Sequence, residues 1–366
     1  MPSSTRRTRK NPVPTFSDGR PIPLEPAPGD PRPTWLSTGR YPDDLRLSSE
    51  APEPLSSDES DLGIAVDSSS RRDVHAHRLV TLGDSLTMGF KSLAITDTNL
   101  SWPVIVAETL GLKPDEFTYP RFPGPVDCPG LPLNLEAIVR AVDTASGGVF
   151  GLRHLREIGA VIAAVTHVKS YWEHGPGSIA PPPNPSYHHN LAIYGWNLRD
   201  AYSRGTGAAL AVLAGSPGEP IAFSPRPAHD AERAMLITLH GPTTPEGVTA
   251  VEAAHWLGEH GGIEHLVVAL GANNALQSIT QLRLAWSNEP HGTVSTPTAF
   301  DRDLTELRDH VAKINTHRVI WVTVPHVTVA PVARGCGTKP AGSSYFPRYI
   351  HAWIRTTSSV RRFIGH

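Results

Sequence analysis

From residue 77 onward, short continuous apolar runs alternate with stretches whose apolar positions recur every three to four residues. His77-Arg78-Leu79-Val80-Thr81-Leu82 is a short apolar run stopped by Gly83, and it predicts a first strand. Ser101 as N-cap, Pro103 in the first turn, and Val104, Ile105, Ala107 and Leu110 before Gly111 predict a helix. Residues 117–186 are rich in Pro and Gly around a helical stretch from Leu133 to Trp172, and they read as a long insert. Tyr187 to Tyr194 predicts a second strand. A helix is predicted to start at Thr244-Pro245-Glu246 and to end near Gly261-Gly262, the usual asymmetry of Pro at the start and Gly at the end. Ile263 to Leu270 and His317 to Val324 are continuous apolar runs, as expected of parallel strands covered on both faces. Between them Phe300, Leu304, Leu307, Val311 and Ile314 form one helical stripe. Strands alternating with helices predict an α/β domain over residues 77–366, built on a parallel sheet with helices on both sides.

Composition changes this picture at one end of the chain. Of 36 prolines in 366 residues, twelve fall within residues 1–60. Residues 1–72 mix Pro, Ser, Asp and Arg without a period of 2 or 3.6, which predicts a disordered tail. The net charge of −2 disfavours a nucleic-acid partner, which usually meets a basic excess. The longest apolar run, Ile158 to Val165, is far below the roughly 18 residues of a membrane span. Arg6, Arg7, Arg9 and Lys10 precede no apolar h-region, so neither a span nor a secretory leader is expected and the cytoplasm is the default location. Two cysteines, Cys128 and Cys336, allow neither a disulfide framework nor a Cys-based zinc site.

Active sites of parallel sheets gather at the carboxyl ends of the strands. The first predicted strand ends in Gly83-Asp84-Ser85-Leu86, a tetrapeptide that chance would place in about one per cent of chains of this length. A serine at a strand-to-helix turn presents its hydroxyl at the sheet edge, where a helix N-terminus favours negative charge. The bland alternative is a serine that only caps the helix. The second predicted strand continues Asn190 to Gly195, and the third ends in Gly271-Ala272-Asn273-Asn274. A glycine N–H and an Asn amide are suitable donors to the oxyanion of an acyl-transfer intermediate.

In this order the segments resemble the GDSL, or SGNH, hydrolases. The first block is matched by Gly83-Asp84-Ser85-Leu86, the second by Asn190 and Gly195, and the third by Gly271-Ala272-Asn273, with Asn274 where Asp is usual. Trp102-Pro103 is also similar to the family. The resemblance covers roughly residues 77–325. It implies a three-layer α/β/α sandwich with a flavodoxin-like parallel sheet. It further implies Ser85 as nucleophile, Gly195 N–H and the Asn273 side chain as oxyanion donors, an ester or acylated small molecule as substrate, and no cofactor.

The family's fourth block, Asp-x-x-His, occurs nowhere in the chain, and no Asp or Glu follows Asp309. The expectation is therefore a C-terminal end that is truncated or altered relative to the family. His326, after the fourth predicted strand, and His351 are the substitute bases the sequence offers. The alternative expectation is an inactive relative that uses the same scaffold for binding. No metal site is expected: Glu252, His255, Glu259 and His260 share a helix, but without His-Glu-x-x-His spacing. His189 is placed near the site opening, and Tyr171, Trp172, Tyr194 and Trp196 either line a pocket or belong to the core.

Overall fold

The computed structural model describes residues 75–145, 153–179, 184–215, 225–242, 247–280, 285–288 and 292–324, together with the backbone of three short strands elsewhere. In chain order the strands are β1 (Leu45–Leu47), β2 (His77–Gly83), β3 (Phe90–Lys91), β4 (Ala94–Ile95), β5 (Leu131–Pro132), β6 (Ile263–Ala269), β7 (Thr316–Trp321), β8 (Ile350–Arg355) and β9 (Val360–Gly365). The helices are α1 (Ser85–Met88), α2 (Trp102–Thr109), α3 (Leu135–Ala145), α4 (Arg153–Glu173), α5 (Asp200–Ser203), α6 (Thr206–Ala214), α7 (Asp230–Thr238), α8 (Ala250–Glu259), α9 (Asn273–Thr280) and α10 (Pro297–Val311). The chain divides into two compact units, one of residues 61–271 and 304–324, the other of 1–60, 272–303 and 325–366.

The larger unit is organised by a parallel sheet in the order β2-β6-β7. Gly83 faces Ala269 across the first pair, so the two strands end level with each other. On the free side of β2 an extended segment runs parallel to it. Thr81 N–H donates to His189 O (2.8 Å), Leu191 N–H to Thr81 O (2.9 Å) and Ile193 N–H to Gly83 O (3.0 Å). The predicted second strand is thus present as a bridged segment, and β2 lies inside the sheet. This explains why the last five residues of β2 are all buried and the run reads as uniformly apolar. Leu79 and Val267 on one face of the sheet meet Val104, Ala107 and Phe117, which seats α2 there.

β7 departs from expectation. It was predicted as a buried strand, but its burial alternates, and Ile320 (47%), Val322 (43%) and Val324 (39%) are exposed. The physical reason is position: among the described residues β7 pairs only with β6, so it is an edge strand. α8 also differs, beginning at Ala250 rather than near Thr244. Thr249 caps it in a reciprocal box with Glu252, and its end at His260-Gly261-Gly262 is as predicted. Residues 243–246, where the start was expected, lie outside the described residues. Ser101 precedes α2 as predicted, yet its hydroxyl donates to Thr98 O (2.8 Å) instead of capping the helix.

The helical stretch read within the insert divides into two helices, α3 and α4, which pack against each other. With the small antiparallel sheet β3-β4-β5 they enclose a second core. Ile95, Phe122, Leu131, Ile138, Val168 and Trp172 meet Met88 of α1 and Tyr194 there. Residues of β5, α3 and α4 therefore pack against the two segments that carry Ser85 and Gly195. No helix among the described residues is long and apolar enough to cross a membrane.

In the smaller unit, β1, β8 and β9 pair antiparallel through their backbones. The expected tail, residues 1–72, lies outside the described residues apart from Leu45–Leu47. Asn274 closes a loop after α9: its side chain donates to Ser295 Oγ (2.9 Å) and its carbonyl accepts from Ser295 N–H (2.7 Å).

Candidate active site

β2 ends at Gly83, and the chain turns at once into the single helical turn α1. Asp84 is the N-cap, its Oδ1 accepting from Leu86 N–H (3.0 Å), and Gly89 closes the turn with an N–H to Ser85 O. Ser85 is thus the first helical residue rather than the cap. It is half-buried, and its hydroxyl has no hydrogen-bond partner among the described residues. One expectation is corrected here. α1 has only four residues, too few aligned peptide dipoles to create much field at Ser85. Asp84 is almost fully buried, and that burial pushes its carboxyl up to about 6 despite the bond from Leu86.

Gly83 is required by close packing. A Cβ built on it would lie 2.3 Å from Thr87 Oγ1 and 2.5 Å from Thr87 Cβ. Gly83→Ala is expected to cost about 1–3 kcal/mol by overpacking, measured by urea unfolding. Adding Thr87→Gly, which removes Cβ as well as Oγ1, should recover part of the loss relative to Thr87→Gly alone; no recovery would show that the clash is not the cause.

Asn190 fastens the neighbouring segment to this turn. Its Oδ1 accepts from Thr81 Oγ1 (3.0 Å) and Ala192 N–H (3.2 Å), while Nδ2 donates to Thr87 O (3.0 Å). One buried amide therefore joins β2, α1 and the segment leading to Gly195. Beyond Ile193 the chain turns through Tyr194-Gly195. Tyr194 N–H points at Met88 Sδ (3.3 Å), so this turn abuts α1. Gly195 has φ +77, is exposed, and its N–H donates to no group among the described residues. A backbone donor left open beside a serine turn is what an oxyanion site requires.

Asn273 opens α9 four residues after Ala269, the partner of Gly83 in the register, with Gly271 at φ +120 between them. It belongs to the smaller unit and is mostly buried. His326 lies outside the described residues, and of His351 only the backbone, in β8, is described.

One further expectation is corrected. His189 is not at a site opening: it is buried, bonded to His77 (Nε2 to Nδ1, 2.9 Å) and to Thr118 N–H (2.9 Å), and stacked on Phe117. Trp172, Tyr194 and Trp196 are core residues, with Trp172 Nε1 donating to Gly130 O (2.9 Å). His255 and Glu259 form a surface pair at 3.6 Å. Among the described residues no three His, Cys, Asp or Glu side chains converge as metal ligands would.

The sequence did not disclose a polar network behind Tyr194. Its hydroxyl donates to Asp230 Oδ2 (2.7 Å), and Asp230 is paired with Arg226. The partners are 36 positions apart, and nothing in their local patterns links them. No family model, curated protein or solved structure matches the chain.

Proposed function

We propose that the protein is a serine-dependent carboxylic ester hydrolase of the GDSL, or SGNH, kind. The observation that carries this reading is the joint anchoring of the Ser85 turn and the Gly195 turn through Asn190 and Met88, with the Ser85 hydroxyl and the Gly195 N–H each uncommitted among the described residues on adjoining turns. Ser85 Oγ attacks the ester carbonyl carbon, and the carbonyl oxygen takes up the negative charge facing Gly195 N–H. The alcohol then leaves and water hydrolyses the acyl-enzyme. The sequence pattern alone assigns Asn273 as second donor, and it offers His326 or His351 as the base that receives the serine proton. The order 189–193, β2, β6, β7, with the first strand inside the sheet, supports the flavodoxin-like, three-layer reading of the scaffold.

A second reading, a binding protein without turnover, is favoured by one observation: no Asp-x-x-His exists and no acidic residue follows Asp309. Turnover of 4-nitrophenyl acetate separates the two. The esterase reading expects saturable hydrolysis by the full chain that falls at least about 10³-fold in Ser85→Ala. Equal rates for the two proteins would favour binding alone.

A further inference from the structure

We infer that Asp230, acting through Tyr194, is a positioning residue that aims the Gly195 N–H at the oxyanion; this rests on the esterase reading above. A Cβ built on Gly195 would meet nothing within 4 Å, so no neighbouring side chain packs over that position, and the turn is closed by Trp196 N–H donating to Ile193 O (3.4 Å). The direction of its N–H is inherited from Tyr194, the residue before it.

Tyr194, by contrast, is held at three points. Its N–H donates to Met88 Sδ (3.3 Å), and its ring stacks on Phe90 at 5.3 Å. Its hydroxyl donates to Asp230 Oδ2 (2.7 Å), in the first turn of α7. Asp230 is in turn held by the Arg226 guanidinium, with Nε at 3.0 Å. The Arg226 carbonyl accepts from Lys169 Nζ (2.9 Å), and Lys169 forms a buried pair with Glu173 (2.8 Å). Glu173 also accepts from Ala228 N–H (2.7 Å), so the segment before α7 is tied to α4. The Tyr194 hydroxyl thus bonds to a carboxylate whose own position is fixed twice over.

Such a network costs desolvation that a phenylalanine would avoid, so geometric definition is the role that accounts for it here. Burial and the Asp230 charge both hold the Tyr194 hydroxyl protonated, and it remains a donor throughout the working pH range. Removing the bond frees the ring to shift, and a displacement of an oxyanion donor by a fraction of an ångström is felt in the transition state rather than in substrate binding.

The test uses the full chain, 4-nitrophenyl acetate as substrate, and a trifluoromethyl ketone. The Ser85 oxygen adds to this ketone, the serine proton passes to the base, and the resulting hemiketal oxygen carries the negative charge. Tyr194→Phe and Asp230→Asn should each lower kcat about 10- to 100-fold with KM within twofold of wild type. The ketone should bind more weakly by the same factor as the fall in kcat/KM. A purely structural role would lower the melting temperature and leave kcat per folded molecule and ketone affinity unchanged, and that result overturns the inference. Wild-type turnover with unaffected variants sinks only the positioning role. Absence of turnover in wild type sinks the esterase reading and this inference with it.

Discussion

Acidification from pH 7.5 to pH 5.0 is expected to lower the unfolding free energy by about 2–3 kcal/mol, through buried histidines that fold only in their neutral form. Burial drives His188, beside His240, down to about 4, and His189, beside His77, down to about 3. The hydrogen bonds agree. Thr118 N–H donates to His189 Nδ1, so His189 carries its proton on Nε2 and donates it to His77 Nδ1. A further proton on His189 would set donor against donor. His77 is itself lowered by burial, where it faces the His260 main chain.

Both folded values lie below the 6.5 of an exposed histidine, so the unfolded chain binds these protons first and stability is lost as pH falls below 6.5. At pH 5.0 each histidine costs about 2 kcal/mol, and any folded value of about 4 or lower gives nearly that cost. Asp84 acts in the opposite sense. Its carboxyl is raised to about 6 from 3.8, so the folded state binds that proton first, and protonation returns about 1.4 kcal/mol at pH 5.0. Two histidines outweigh one carboxyl. Urea midpoints at the two pH values measure the net, and His188→Gln should reduce the acid loss by about 2 kcal/mol. Equal midpoints for the wild type would contradict the account.

Asn190→Ala is expected to destabilise the protein by about 3–5 kcal/mol, because three buried partners lose their bonds at once. The side chain is 1% exposed, and its removal leaves Thr81 Oγ1, Ala192 N–H and Thr87 O facing a cavity too enclosed to hydrate freely. Each unsatisfied buried group costs about 1–3 kcal/mol. Asn190→Asp should not rescue, since a carboxylate loses the donor to Thr87 O and places a charge in the core. The check is the unfolding free energy of both variants in urea. A loss below about 1 kcal/mol in Asn190→Ala would show that the segment bearing Gly195 does not depend on this amide.

Much of this arrangement was legible in the order of the residues. β2 and β6 stood out because their carboxyl halves are covered on both faces, and that leaves the mainly apolar stretches Leu79–Leu82 and Leu266–Ala269. β7 has the same kind of run, but a run does not say whether a neighbour lies beyond it, and here its outer face is exposed. The start of α8 was misplaced because Thr244-Pro245-Glu246 offers as ordinary a signal as the true capping box at Thr249 and Glu252. α6 was not read, since Thr206–Ala214 is apolar nearly all round and shows no stripe. α7 begins after His229 without a side-chain cap, which removes the usual marker. Ser85 and Gly195 were singled out after predicted strands, and Asn190 through the resemblance to the GDSL hydrolases; the structure places the three on segments that are bonded together. The pairs Tyr194–Asp230 and His77–His189 were not legible, because they join residues 36 and 112 positions apart.

Reaction of the intact protein with a fluorophosphonate at neutral pH, followed by peptide mass mapping, tests most directly whether Ser85 is a nucleophile. One phosphonyl adduct per chain on the peptide containing Ser85, absent from Ser85→Ala, is the result expected. An unlabelled wild type, or a label that survives Ser85→Ala, would contradict it.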